Sequence, residues 1–254
     1  MSKTQNRGKM MMFLARLLAD PAVLTKFEVD KDNIDSSSLN FFYNTLDGNK
    51  PDEYKNTAYL WDVGGPDSTG SWEIPGTVFK SHKIDSPLAS GVQTFSDLGL
   101  ANRFYLIGYA VGEGKGAVVT TQLLKPQSGG KYDVIPAPPE EALSFNMTNV
   151  NTTTVSYSFR MPSGTSAEAD KDWVGVWKGS TGSYLYDSSK HPISSKGISI
   201  DDSYGNDRLT LSGGQQFVSG ASYMLGYFKS GYDHNKPNES VRTTLAAIVK
   251  FKGP

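Results

Sequence analysis

The chain has 254 residues, of which 37% are hydrophobic and 20% are charged, and its net charge is close to −1. This composition is typical of a folded globular protein and excludes a generally disordered chain. The balanced charge excludes a general electrostatic attraction to nucleic acid or to an anionic membrane. The chain has no cysteine, which excludes disulfides, thiolate catalysis and cysteine-bound metal. A chain of this length can form two domains of ordinary size.

The first residues are basic and lead into an apolar run, 10–15, that Arg16 interrupts. A secretory signal needs an apolar run of roughly 7–15 residues followed by a small-residue cleavage site, and no such site follows here. No later stretch approaches the roughly 20 apolar residues of a membrane span. We therefore expect a protein that stays in the cytoplasm or is released without a cleaved signal peptide.

Residues 10–28 have a helical pattern, and we predict an N-terminal helical segment within 1–36. Apolar residues recur on one helix face up to Leu18, Asp20-Pro21 ends the helix, and the same dipeptide can cap a second one. Exposing this apolar face to water would be unfavourable, so we expect the helical segment to dock on the rest of the protein or on a neighbouring copy. The predicted assembly residues are Phe13, Leu14, Leu17, Leu18, Leu24 and Phe27.

Two features of this region bear on its role. The segment Leu14–Phe27 resembles the Leu-rich, Asp-Pro-containing helices of nitrile-hydratase-like leader sequences. Those helices are recognised by another protein, so the resemblance implies a docking element. The acidic segment Asp30–Asp35 has spaced carboxylates, but Ile34 and Asp35 stand where a calcium-binding EF-hand loop needs an oxygen ligand and a glycine. We interpret it as a solvated linker.

The chain contains an internal repeat. The stretch Lys171–Trp177 (KDWVGVW) has an earlier counterpart in Lys55–Trp61 (KNTAYLW). Each is followed by a second apolar segment, Phe104–Tyr109 in the first copy and Ser222–Tyr227 in the second. Short β-type runs separated by Gly, Pro, Asn and Asp surround both copies. The repeat predicts two copies of one strand-rich module.

These runs define the predicted strands. In the first module they are Leu39–Tyr43, Thr57–Trp61, Gly76–Lys80, Val92–Phe95, Arg103–Val111 and Val118–Leu124. In the second they are Thr154–Arg160, Trp173–Trp177, Asp207–Leu211, Tyr223–Tyr227 and Val241–Ala247. We predict a mainly β protein with two tandem immunoglobulin-like antiparallel β-sandwiches, at 37–126 and 142–254, joined by a Pro/Gly-rich linker at 127–141.

The central strands are apolar on both faces. Trp173 and Trp177 point to one side of their strand while Val174 and Val176 point to the other. A half-exposed antiparallel strand would alternate apolar and polar residues instead. We therefore expect the outer face to be covered by the other sandwich, by the N-terminal helices or by another copy of the chain.

The second module resembles a known domain type. The segment Asp172–Trp177, followed by Ser222–Phe228 and a closing strand that ends at Phe251, resembles the SKICH type of immunoglobulin-like domain. The N-terminal sandwich of purple acid phosphatases is similar in having an Asp-Trp-hydrophobic-Gly strand. Such domains are binding or accessory modules, so the resemblance implies no catalytic residue. The first module departs from the pattern because Asn56-Thr-Ala replaces Asp-Trp-Val.

Catalytic patterns are missing from the sequence. The three histidines, His82, His191 and His234, lie far apart and show no metal-binding spacing. No nucleophile elbow of the Gly-x-Ser-x-Gly kind occurs. The Gly-rich segment 112–116 lies between two strands and opens no helix, so it lacks the dipole that a phosphate site uses. We expect no enzyme, no cofactor and no metal site.

Two functional hypotheses remain. The first is a structural or interaction protein that self-associates or binds a protein partner through apolar sandwich faces and the N-terminal helix. The alternative is a lectin-like or toxin-type protein that binds a glycan or another ligand through loops at the sandwich end, since aromatic rings with amides and acids suit sugars. The predicted ligand-binding residues are Tyr184, Tyr186, Tyr232, Asp233, His234 and Asn235.

Overall fold

The computed structural model describes residues 20–254, and within them the protein is mainly β, with 44% strand and no helix longer than a short 3-10 turn. The prediction of a mainly β, sandwich-like protein is confirmed at this level. The sixteen strands form four antiparallel sheets, two of three strands and two of five. No helix in this range is long and apolar enough to cross a membrane.

The first three-stranded sheet and the first five-stranded sheet form what we call the first sheet pair. The three-stranded sheet has the order β2-β3-β6, and the five-stranded sheet has the order β5-β4-β7-β8-β9. The strands are β2 (Lys26–Ile34), β3 (Leu39–Asn44), β4 (Thr57–Gly64), β5 (Lys80–Lys83), β6 (Ser90–Phe95), β7 (Phe104–Ala110), β8 (Val118–Pro126) and β9 (Tyr132–Pro136).

The remaining sheets form the second sheet pair. Its three-stranded sheet has the order β10-β11-β14, and its five-stranded sheet has the order β1-β16-β15-β12-β13. The strands are β1 (Val23–Leu24), β10 (Ser144–Val150), β11 (Thr154–Arg160), β12 (Trp173–Lys178), β13 (Ser194–Gly197), β14 (Tyr204–Thr210), β15 (Ser222–Phe228) and β16 (Leu245–Lys252). Short 3-10 turns lie at Lys115–Ala117, Gly182–Leu185 and Pro237–Glu239.

The predicted N-terminal helix is wrong for the part that the structure describes. Residues 23–34 form β1 and β2, because Phe27 and Val29 alternate with polar residues at the period of a strand and point into the core. The predicted linker Asp30–Asp35 lies largely within β2, and the linker at 127–141 contains β9. The first half of the predicted helix, with Phe13, Leu14, Leu17 and Leu18, lies outside the described residues.

The two sheet pairs exchange a strand at their joint. The segment β1 precedes the first pair in sequence but pairs with β16 of the second, and Asp20 N–H donates to the Lys250 carbonyl at 2.8 Å. Only Thr25, which donates to the Ala246 carbonyl through both N–H and Oγ1, separates β1 from β2. In the first pair β9 occupies the equivalent edge, beside β8. The buried side chains inside both pairs belong to one continuous apolar cluster.

The apolar outer faces of the central strands are covered by loops of the same chain. On the first five-stranded sheet, Ile74 of the β4–β5 loop packs with the buried Trp61. On the second, Leu185 of the β12–β13 loop and Leu46 of the β3–β4 loop pack with Trp173 and Trp177. The sequence correctly indicated that these faces are covered. Leu46 comes from the other sheet pair, which was one of the expected covers, whereas Ile74 and Leu185 come from loops of the same sheet pair, which were not.

The loops also connect the two sheet pairs in a reciprocal way. Gly48, with φ +93°, lies so close to the β12–β13 loop that an added Cβ would be 3.0 Å from Ser183 Cβ. Its counterpart Gly164, with φ +85°, lies against the β4–β5 loop, where an added Cβ would be 2.7 Å from the backbone nitrogen and oxygen of Ile74. A left-handed backbone and this close approach both favour glycine. Each pair therefore supports the loop that covers the other.

Candidate functional site

Half of the predicted ligand-binding residues serve the fold. Tyr186 is directed towards the first sheet pair, where its hydroxyl accepts a hydrogen bond from Asn49 Nδ2 at 3.1 Å and its ring stacks on Tyr54. Burial raises the pKa of Tyr186. Tyr232 packs on Trp173 and against the backbone of Gly197. Neither ring is free to form a ligand platform.

Asp233, the acidic residue among the predicted ligand-binding residues, forms hydrogen bonds within its own turn. Asp233 Oδ1 accepts the backbone N–H groups of Asn235 and Lys236 at 2.9 and 3.1 Å, which closes a turn. The His234 ring lies edge-on to Tyr232 at 4.8 Å, and both His234 and Asn235 are exposed. Tyr184 is exposed as well, with the Lys190 ammonium 5.8 Å from its ring centre. The exposed remainder of the predicted site is Tyr184, His234 and Asn235.

A buried arginine holds the two predicted ligand loops together. Arg242 donates to the carbonyls of Asp187 and Lys190 at 2.6 and 3.0 Å and to that of Asn238 at 3.2 Å. Its guanidinium lies 5.8 Å from the centre of the Trp177 ring, and burial lowers its pKa. Because these partners are backbone carbonyls, we assign Arg242 a structural role at this end of the molecule.

Of the two predicted assembly residues that the structure describes, Phe27 lies in the core and Leu24 packs against the core while partly exposed. The Phe27 ring is 5.3 Å from Phe41 and 5.9 Å from Tyr109, inside the first sheet pair. Leu24 is partly buried against the same core cluster. Phe27 therefore offers no surface to a partner.

The residues around the central strands show no catalytic arrangement. Among residues 20–254 no three His, Asp or Glu side chains cluster in a way that could hold a metal ion. His82 contacts Gln93 and His191 contacts Arg242, whereas the His234 ring lies against Tyr232. Within the same range, none of the three histidines hydrogen-bonds to a serine, threonine or carboxylate.

A buried charged group lies under the start of β12. Asp172 is fully buried and accepts hydrogen bonds from Tyr227 Oη and Lys229 Nζ, each at 2.7 Å, and from Ser230 N–H at 2.9 Å. Lys229 is also buried and lies 3.6 Å from Asp170. Burial raises the pKa of Asp172, while Lys229 and the hydrogen bonds oppose that shift. Asp172, which precedes Trp173 in the second repeat, therefore has a structural role: it accepts hydrogen bonds from the end of β15 and from the residues that follow it.

An exposed apolar surface lies elsewhere, on the outer face of the first three-stranded sheet. Phe42 on β3 and Val92 on β6 are cross-strand neighbours, and 44% and 55% of their areas are exposed. We call Phe42 and Val92 the β3–β6 patch. Sequence reasoning missed it, although the apolar Phe42 between the inward-facing Phe41 and Tyr43 was a visible signal.

A cavity adjoins this patch. It measures about 570 Å³ and lies where the chain crosses between the sheet pairs, beside β1, β2 and the start of β10. Its apolar lining includes Leu24, Phe42 and Leu143. Gln122, also in the lining, accepts Val29 N–H at 2.7 Å through Oε1. Phe42 is thus shared between the cavity and the β3–β6 patch, which extends the apolar surface toward the joint.

Comparison with known proteins finds distant structural neighbours. No family model and no curated protein matches the sequence. A solved structure, a DUF3823 family protein from Bacteroides uniformis, is similar with a TM-score of 0.29 and 10% identity, over 91% of this chain and 99% of that one. That protein has an all-β fold.

Proposed function

We propose that this chain is a non-enzymatic interaction protein that self-associates through the β3–β6 patch. The observation that carries the proposal is the exposed cross-strand pair Phe42 and Val92 on a sheet face. Neighbouring apolar side chains left in water mark interaction surfaces when they form a continuous patch. Here the adjoining cavity, which Phe42 also lines, enlarges the apolar surface beyond the exposed pair.

The second sheet pair supports a specific role for this patch, because the two corresponding positions there are polar. On β11, Ser158 takes the place of Phe42, and across from it on β14, Asn206 takes the place of Val92. The same fold is therefore compatible with polar residues at both positions. The apolar pair in the first sheet pair is not required by the sheet itself.

We also propose that each sheet pair is an immunoglobulin-like sandwich of the SKICH type. Strand order supports this assignment: β2-β3-β6 faces β5-β4-β7-β8, which corresponds to the A-B-E and C′-C-F-G order of immunoglobulin domains. The second pair repeats that order with β10-β11-β14 and β13-β12-β15-β16. Sandwiches of this kind are common in binding modules.

The test replaces the apolar pair with the residues of the second sheet pair. In the double variant Phe42→Ser/Val92→Asn we expect a monomer by light scattering at concentrations where the parent protein is a dimer or larger. Val218→Asn is the matched control, because Val218 is also 55% exposed but lies outside the patch. A parent protein that is monomeric at all concentrations, or a double variant with the parent's mass, would overturn the proposal.

A glycan-binding role is the second candidate. The observation that favours it is the exposed Tyr184 ring, next to Lys190, at the end of the second sheet pair. Exposed aromatic faces stack on sugar rings, and nearby polar groups can hydrogen-bond to hydroxyls. A glycan array with the parent protein and a Tyr184→Ala variant tests this role. Binding that the variant retains would exclude Tyr184 from the site.

A further inference from the structure

The outer edge of β6 has unpaired backbone groups. Thr45 N–H donates to the carbonyl of Ala89, which lies opposite it, at 2.8 Å. In an antiparallel pair, opposite residues alternate between those that exchange hydrogen bonds and those that do not, so this bond shows which residues of β6 bond to β3. Every second residue of β6, starting at Gly91, therefore bonds to β3. Ser90, Val92 and Thr94 direct their N–H and C=O groups away from β3. Within residues 20–254 no strand pairs with that edge.

The equivalent edge of the second sheet pair is closed by side chains. Along β14, the carbonyl of Thr210 accepts a hydrogen bond from Ser194 Oγ at 2.9 Å. The carbonyl of Arg208 accepts one from Lys196 Nζ at 3.4 Å, and the same ammonium pairs with Asp207 at 2.7 Å. Charged side chains and local partners of this kind prevent an edge strand from pairing with another chain.

On β6, no side chain of residues 20–254 provides that protection. His82 holds the position that Lys196 holds in the second pair. Its ring packs on Phe41 and Phe95, and its polar contact reaches the side chain of Gln93, at 3.4 Å, and no backbone carbonyl of β6 within the described residues. The strand Ser90–Phe95 has no charged residue. The neighbouring edge strand β5, in contrast, carries Lys80 and Lys83. The β6 edge can therefore lie beside its own copy without repulsion between like charges.

We propose that a second copy of this chain pairs antiparallel along β6, so that two three-stranded sheets become one six-stranded sheet. This inference rests on the proposed self-association and names its geometry. Residues directly opposite in an antiparallel pair point to the same face. With the twofold axis at Val92, that residue meets Val92 of the other copy, and Ser90 meets Thr94. Both β3–β6 patches then join into one apolar strip on a single face.

The alternation of backbone groups provides a sharp test. Proline has no N–H and is tolerated only where a strand does not need that donor. Thr94→Pro removes an N–H that points to the open edge and leaves the bonds to β3 in place. Arg208→Pro is the matched control at the corresponding position of β14. We expect Thr94→Pro to weaken dimerisation at least tenfold in sedimentation equilibrium, and Arg208→Pro to leave it unchanged.

Cysteine crosslinking tests the register independently. The natural chain has no cysteine, so Val92→Cys introduces a single thiol. Hydrogen-bonded antiparallel partners have Cα atoms about 5.5 Å apart, within the range of about 4.4–6.8 Å that a disulfide spans. We expect Val92→Cys to form a covalent dimer under mild oxidation, and the control Asn206→Cys not to form one.

The outcomes separate the two proposals. A dimer that Phe42→Ser/Val92→Asn dissociates, but that neither crosslinks through Val92→Cys nor responds to Thr94→Pro, would overturn edge pairing and leave self-association intact. A parent chain that is monomeric throughout would overturn both. Should circular dichroism show that Thr94→Pro is unfolded, the crosslinking result alone decides.

Discussion

Asn56 and Asp172 occupy equivalent positions, just before the central strand of each sheet pair, and both are fully buried. The residue before each, Lys55 and Lys171, has the same left-handed backbone, with φ values of 59° and 60°. Asn56 donates to the Tyr109 hydroxyl and to Asn49 Oδ1, each at 3.0 Å. Asp172 instead accepts from Tyr227, Lys229 and Ser230.

The difference shows that one backbone arrangement tolerates neutral or charged polar groups at its centre. In the first pair the position of Lys229 is taken by Val111, and Asn56 Oδ1 finds no hydrogen-bond partner among the described residues. In the second pair every polar atom of the Asp172 carboxylate is used, but the group depends on a buried cation. The charged version is better satisfied and more sensitive to loss of one member.

Removing the buried cation should have the largest effect. Lys229→Met leaves Asp172 buried without its ion pair and with Asp170 nearby. Breaking a buried pair in this way costs roughly 3–5 kcal/mol. Denaturant unfolding should show a loss of this size, and a loss below about 1 kcal/mol would contradict a strong ion pair between Lys229 and Asp172. Lys178→Met, at an exposed position on β12, is the control.

Trp61 and Trp177 should contribute equally to the stability of the fold. Trp61 and Trp177 are buried at equivalent positions, each in the outer aromatic layer of its sheet. We expect Trp61→Ala and Trp177→Ala each to cost about 3–5 kcal/mol, the usual cost of removing a large aromatic side chain from a packed core. The check is the unfolding midpoint of each variant. An unchanged midpoint for either one would show that its loop cover does not hold in solution.

Tyr109 and Tyr227, which are equivalent in the two sheet pairs, should differ in how much their hydroxyl groups stabilise the protein. The Tyr227 hydroxyl donates to the buried Asp172 carboxylate, and burial together with that carboxylate raises the pKa of Tyr227. Tyr109 instead accepts a neutral bond from Asn56. Hydrogen bonds to charged groups contribute about 1.5–3 kcal/mol, and neutral ones about 0.5–1.5 kcal/mol. Tyr227→Phe should therefore lower the free energy of unfolding more than Tyr109→Phe does. Equal losses would remove the energetic distinction between the two sites.

The smallest effect should come from converting the second site into the first. The double variant Asp172→Asn/Lys229→Val introduces the residues found at Asn56 and Val111. Replacing a complete buried ion pair is often neutral, so we expect its stability to lie within about 1 kcal/mol of the parent's. A double-mutant cycle with the single variants measures the coupling directly. Additive losses would show that Asp172 and Lys229 act independently.

The strands were predictable from the sequence where apolar residues dominate. They were less predictable where the spacing of apolar residues fits both a helix and a strand. The segments around Trp61, Trp177, Leu106 and Leu225 lie in strands as predicted. At the start of the chain, the spacing of Val23, Leu24 and Phe27 also fits a helix. There, pairing with β16 and β3 determines the strand, and those partners are distant in sequence. The predicted strand at 76–80 is instead mainly loop, and β16 begins at Leu245.

The candidate sites were harder to predict because they depend on contacts across the chain. Tyr186 has the chemistry of a ligand residue, and only its bond to Asn49 shows that it belongs to the joint. Lys229 follows an apolar strand with no local sign that it is buried. Predicting the β3–β6 patch requires knowing that Phe42 faces Val92 and that no loop within residues 20–254 covers them. None of these three facts is contained in a local sequence pattern.

The pairing of β1 with β16 determines when the structure can be completed during synthesis. The N–H of Asp20 bonds to the Lys250 carbonyl, so its partner is made long after it. Chains grow at roughly 5–20 residues per second, and the first sheet pair has all of its own strands once β9 has emerged. The edge of the second pair must wait for residue 252 and for closure of a very long loop. Contacts of such sequence separation slow folding, so we expect an early phase for the first sheet pair and a late phase in which β1 closes the joint.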